Sequence, residues 1–160
     1  MKFSAAILLF RRKNSFLEVF LVHPGGPFWM KKDAGAWSLP KGEYLHDENP
    51  LAAAKREFEE ETSLSVDGEF LPLGELQQSS GKRVTAWALE HDLDPAQIKS
   101  NSFTLEWPPK SERMQEFPEV DVGAWFSLPE ARGKLIPGQR PFLTRLTEKL
   151  AIPGDSSASR

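Results

Sequence analysis

The stretch from Asn49 to Thr62, Asn-Pro-Leu-Ala-Ala-Ala-Lys-Arg-Glu-Phe-Glu-Glu-Glu-Thr, constrains the fold more than any other. It pairs a capping residue with a proline at the first helical position and then runs through strong helix formers. Leu51, Ala54 and Phe58, spaced three and four apart, predict the stripe that faces a core. The second half is odd for a helix. Glu57, Glu59, Glu60 and Glu61 place four carboxylates in five positions, and like charges at such spacings repel by roughly a few tenths of a kcal/mol per pair. Such a face is either solvated or neutralised by something positive. Positions 57, 60 and 61 share one side, whereas 59 points roughly 100° to 160° away from each of them. Glu59 is therefore read as a solvent carboxylate. The other three suit a hard divalent cation, which takes oxygen ligands.

The flanking sequence predicts a mixed sheet with helices on both faces. Residues 3–10 and 17–23 read as two strands with Arg-Arg-Lys-Asn-Ser as their turn. Residues 24–35 are loop by their Pro and Gly content, 36–40 a short strand, and 41–48 a further loop. Two more strands are expected around Ser79–Gly81, in "EFLPLGELQQ" and "KRVTAWALE". Residues 91–118 read as a long irregular loop, a kind of segment that is more often functional than idle. A strand "VDVGAWFSL" precedes a short helix and a longer amphipathic one. One domain over residues 1–152 is expected, with 153–160 as a disordered tail.

Composition narrows the function classes. A net charge of −3 argues against a protein that grips nucleic acid through its phosphates. With no cysteine, disulfides, thiolate zinc sites and thiol nucleophiles are all excluded, in keeping with a reducing compartment. The apolar run Phe3–Phe10 is short and is stopped by Arg11, Arg12 and Lys13, so it reads as a buried strand rather than a signal peptide. No segment approaches the roughly 18 to 20 apolar residues of a membrane span. A cytoplasmic protein without membrane or nucleic-acid partners is expected.

Gly42, five residues, Glu48, seven residues, then Arg56-Glu57-Phe58-x-Glu60-Glu61-x-x-Leu64 resembles the signature of the Nudix (MutT-like) hydrolases. Every charged position of that pattern is present. Ser63 stands where the family carries Gly, and Phe58 fills a slot that is usually aliphatic. The resemblance implies an α/β fold, a Nudix-type α/β/α sandwich with a mixed sheet, the signature loop-helix-loop and C-terminal helices. It implies that Glu57, Glu60 and Glu61, with the Gly42 carbonyl, bind Mg²⁺ or Mn²⁺. Arg56 would orient the glutamates and Glu48 would support them. Water would attack a phosphorus of a diphosphate linkage while a carboxylate takes its proton. Which glutamate is the base stays open. Glu119 reads either as a further ligand or base, or as a surface acid.

For substrate, Pro40-Lys41-Gly42 resembles the Nudix branches that hydrolyse diadenosine polyphosphates, diphosphoinositol polyphosphates or nucleoside triphosphates. Lys41 would then contact a phosphate oxygen, the alternative being a solvated loop lysine. The stretches "AWSLPKGE" and "EWPP" are similar to those of bacterial predicted Nudix pyrophosphohydrolases of nucleoside triphosphates. Trp29 (with Phe28) and Trp107 offer faces on which a nucleobase could stack, while Trp37, Trp87 and Trp125 lie in strand patterns and read as core. Lys99, Lys110 and Arg113 could reach a polyphosphate tail, and a solvated loop is the better reading of each alone. His23, His46 and His91 show no metal-ligand spacing and read as exposed or hydrogen-bonded. Hydrolysis of ADP-ribose or another nucleotide sugar stays open, as does a non-catalytic nucleotide-binding module. The partner is a small nucleotide or polyphosphate, and the chain is expected to be a monomer or homodimer.

Overall fold

The computed structural model describes residues 2–151, so the expected tail at 153–160 lies outside the described residues. The sheet is organised around β1 (Phe3–Lys13), whose nearly unbroken apolar run is buried on both faces. Ala6, Leu8 and Phe10 point into one core, and Ala5, Ile7 and Leu9 into the other. β2 (Phe16–Pro24) returns antiparallel to β1. The turn between them is shorter than the sequence suggests: Asn14 and Ser15, at φ of 53° and 71°, close a two-residue hairpin, and pairing reaches Lys13↔Phe16.

β3 (Lys41–Tyr44) corrects the expectation of a loop there. Its composition is poor for a strand, and its conformation is imposed by antiparallel pairing with the first half of β1, from Phe3↔Tyr44 to Ala6↔Lys41. β1 therefore exchanges one neighbour for another along its length, from β3 to β2. The preceding segment, expected as a strand, makes only isolated bridges at Val22↔Ser38 and Trp37↔Leu135. β4 (Leu71–Gln77) and β5 (Arg83–Glu90) form a hairpin, and β5 runs parallel to β1. With β8 (Val120–Ser127) beside β2, the order is β4-β5-β1-β2-β8, with β3 on β1.

α1 (Pro50–Thr62) covers one face through Ala53, Ala54 and Phe58; Leu51, expected in that stripe, is only half-buried, and Ala53 packs into the core instead. α2 (Leu128–Lys134) and α3 (Pro141–Leu150) cover the other through Leu128, Ala131, Phe142, Leu143 and Leu146. The expected α/β/α sandwich with a mixed sheet is what the chain forms. Residues 91–118 are more ordered than their sequence suggests. A 3₁₀ turn at Pro95–Gln97 leads into a separate hairpin of β6 (Ser102–Glu106) and β7 (Met114–Pro118). Among the described residues no helix is long and apolar enough to cross a membrane.

Candidate active site

Asn49 caps α1 as its sequence predicts, its side chain accepting from the Ala52 N–H at 2.9 Å. With Phe58 fully buried, the helix cannot roll, and this presents Glu57, Glu60 and Glu61 beside the 41–48 segment while Glu59 faces solvent. Arg56 links the acids: it donates to Glu48 and Glu57 at 2.8 Å each and to Glu60 at 3.5 Å. Glu61 turns the other way and accepts the Lys41 backbone N–H at 3.3 Å. Gly42 is packed so closely that a Cβ there would lie 1.8 Å from Glu57 Oε1. Only glycine lets the loop backbone and this carboxylate share the space.

The acids are electrostatically frustrated. Burial pushes the Glu61 carboxyl up from its ordinary 4.5 to about 8, and Glu119 and Glu57 add to the shift while Lys41 opposes it. Glu57 is raised as well, first by burial and then by Glu60. The Lys41 ammonium is lowered by its own burial. Glu119 thus belongs electrostatically to this group although it lies far along the chain. Its backbone places it there: its N–H donates to the Asn101 carbonyl at 2.8 Å, and its own carbonyl accepts from Gly25 at 3.0 Å.

The donor set fits a hard cation: carboxylate oxygens crowd together, burial opposes their charge, and a glycine leaves the space that a Cβ would fill. Among the described residues, no three His, Asp or Glu side chains are already gathered as ligands. The hydrogen bonds show why. Arg56 draws Glu57 and Glu60 toward itself while Glu61 turns to the Lys41 backbone.

A cavity of about 410 Å³ opens beside this group, lined by residues of β2, β3, α1, β6 and β8 and of the loops between them. Lys41, Glu61 and Glu119 line one part, and Trp29, Phe103, Val22 and Ile136 supply apolar wall. Trp29 lines the cavity. Trp107 is not among the lining residues; it packs edge-on against Phe28 with centroids 5.3 Å apart. Phe103 went unnoticed in the sequence. Its alternation with Leu105 was the available signal, hidden in a stretch dominated by Pro and Lys. Lys99, Lys110 and Arg113 are exposed and do not line the cavity.

The model of the NUDIX domain matches residues 2–146 of the chain. The chain belongs to the Nudix family. Among curated proteins it is 32% identical over 114 residues to an octanoyltransferase of Myxococcus xanthus, a match covering 71% of this chain and 29% of that protein. The Nudix chain thus spans about three tenths of that relative's length. Among solved structures, a Caenorhabditis elegans Ap4A hydrolase in a binary complex matches at TM-score 0.63 and 19% identity, over 94% of this chain and 98% of that one. A mutT/nudix family protein of Listeria innocua matches at 0.62 and 19% over 94% of both chains. The NUDIX domain of Shewanella oneidensis NrtR, complexed with ADP ribose, matches at 0.61 and 16% over 92% and 87%. At these identities the likeness establishes the shared fold. Within the Nudix signature, Ser63 adopts the left-handed conformation that favours glycine, at φ 67° and ψ 11°.

Proposed function

We propose that this Nudix enzyme hydrolyses the diphosphate linkage of a nucleoside triphosphate or a diadenosine polyphosphate, with Mg²⁺ or Mn²⁺ held by Glu57, Glu60, Glu61 and the Gly42 carbonyl. The observation that carries this reading is the polarity of the cavity. Carboxylates and one lysine line part of it, and the aromatic rings of Trp29 and Phe103 wall another. A nucleobase stacks on the rings and directs its phosphates toward the acids. When bound, the divalent cation neutralises charge on the phosphate oxygens. Lys41 supplies a further positive charge to the same oxygens. Arg56 keeps Glu57 and Glu60 oriented from behind, and Glu48 anchors Arg56. Water attacks phosphorus, a carboxylate of the group takes its proton, and the P–O bond to the leaving phosphate breaks. Glu61 and Glu119 line the cavity and are the two candidates for that base.

A panel of nucleoside triphosphates, diadenosine polyphosphates, ADP-ribose and nucleotide sugars with Mg²⁺ or Mn²⁺ tests the reading, with products identified after reaction in ¹⁸O-labelled water. Glu60→Gln should lower turnover by at least about 10²-fold with the fold intact. Preferential turnover of ADP-ribose would select the nucleotide-sugar alternative. Binding without turnover across the panel would leave a non-catalytic nucleotide-binding module.

A further inference from the structure

We propose that His23 is a positioning residue for the ring-binding end of the cavity: its imidazole, carrying a proton on both nitrogens, ties the Lys32 carbonyl to Asp121 and so holds the Trp29 wall. His23 is the next-to-last residue of β2 and is 6% exposed. Its Nε2 lies 2.6 Å from the Lys32 carbonyl oxygen and its Nδ1 lies 3.0 Å from Asp121 Oδ1. A carbonyl oxygen and an ionised carboxylate can only accept, so each contact needs an N–H from the ring. A neutral imidazole has one. Both bonds coexist only in the imidazolium.

The tie reaches the wall through a short path. The Lys32 N–H donates to the Trp29 carbonyl at 3.0 Å, and Lys32 Nζ sits 5.2 Å from the Trp29 ring centroid. His23 therefore holds the turn that presents Trp29. The charged groups around the ring are Asp121 from β8, Lys32 and Asp33 from the loop, and Lys134 of α2, which pairs with Asp33. Asp33 also accepts the Trp37 indole N–H at 2.8 Å, and Trp37 packs edge-on against the His23 ring at 5.2 Å. The loop between β2 and Trp37 is thus held at two adjacent residues, Lys32 by His23 and Asp33 by Trp37 and Lys134.

This inference rests on the reading that the cavity takes a nucleobase, and the test separates the two. Histidine-labelled ¹⁵N NMR of the full chain, without substrate, should show both His23 nitrogens protonated at about pH 6. In Asp121→Asn the amide can donate to Nδ1, so His23 should become the neutral Nε2–H tautomer. A single protonated nitrogen in the wild-type protein at that pH would overturn the tie. In steady-state kinetics, His23→Gln should raise KM about tenfold with kcat changed less than about twofold, the split expected when binding alone is lost. An equal loss in kcat, or an unaltered KM in His23→Gln, would reduce His23 to a packing residue. If no nucleotide is turned over, the functional reading fails and the NMR result alone decides the tie.

Discussion

The Ser63 hydroxyl donates to the backbone carbonyl of Lys99, joining the end of the acidic helix to the segment that leads into the β6–β7 hairpin. The joint is continuous. Lys99 N–H donates to Thr62 O at 3.0 Å, Asn101 N–H to Glu60 O at 3.1 Å, and Glu119 N–H to Asn101 O at 2.8 Å. Two helix-terminal carbonyls, otherwise without intrahelical partners, are thereby satisfied. The same bonds fix Glu119 relative to Glu60 and Glu61.

Left-handed backbone at Ser63 costs about 1 kcal/mol relative to glycine. The hydroxyl bond, at about 0.5–1.5 kcal/mol, offsets it. Ser63→Gly should therefore shift stability by less than about 0.5 kcal/mol, whereas Ser63→Ala should lose about 1 kcal/mol. Urea denaturation reads both. A glycine variant stabilised by well over about 1 kcal/mol would mean that the hydroxyl contributes nothing.

Glu61 sets a pH dependence on the cation-free protein. Its folded carboxyl titrates at about 8 against an ordinary 4.5, so the folded chain holds this proton more tightly than the unfolded chain. That contribution to stability is complete below the unfolded value and is lost as pH rises through about 8. Glu57 shifts in the same direction. Thermal melts without divalent cation should fall across this window, and Glu61→Gln should flatten the fall. Added Mg²⁺ should raise the melting temperature more at the alkaline end, because ligation requires the ionised carboxylates.

Gly42→Ala isolates the loop–helix contact. The new methyl carbon would lie 1.8 Å from Glu57 Oε1 and 1.9 Å from its Cδ, so Glu57 must move. Alanine suits the strand backbone there, and stability should change by less than about 1 kcal/mol. Mg²⁺ affinity should fall by about 10- to 100-fold, the range seen when ligand orientation is lost. Calorimetric titration gives the affinity, and wild-type binding would show that Glu57 need not occupy this position.

Phe58 is fully buried between α1 and the sheet, tilted against Phe20 with centroids 6.5 Å apart. Phe58→Ala should cost about 3–5 kcal/mol. Phe58→Leu, which restores the aliphatic side chain usual in the signature, should cost less than about 1.5 kcal/mol. Chemical denaturation distinguishes them, and equal losses would mean that the site cannot repack around an aliphatic residue.

Features carried by contiguous residues are legible in the sequence alone. The cap, first-turn proline and apolar stripe of α1 are local, as are the apolar runs of β1, β2, β5 and β8 and the single solvent-facing acid among four. Helical period alone puts Glu57, Glu60 and Glu61 on one side, because intrahelical geometry requires no partner. β3 lies beyond such a reading, since Lys-Gly-Glu-Tyr has no strand preference and becomes extended only through the ladder that β1 offers. The β6–β7 hairpin escapes it for a related reason: its strands are 5 residues each, too short for a clear period beside so many turn residues.

Local sequence therefore settles which side chains are available and on which side of an element they stand, because backbone sterics and side-chain period act over a few residues. Tertiary structure decides the remainder: that Glu119 joins the acids, that Phe103 rather than Trp107 lines the cavity with Trp29, and that His23 faces two acceptors at once. Those relations depend on where distant segments dock. Docking is set by the burial of both faces of β1 and by hydrogen bonds such as that between Ser63 and Lys99, which no short window of sequence contains.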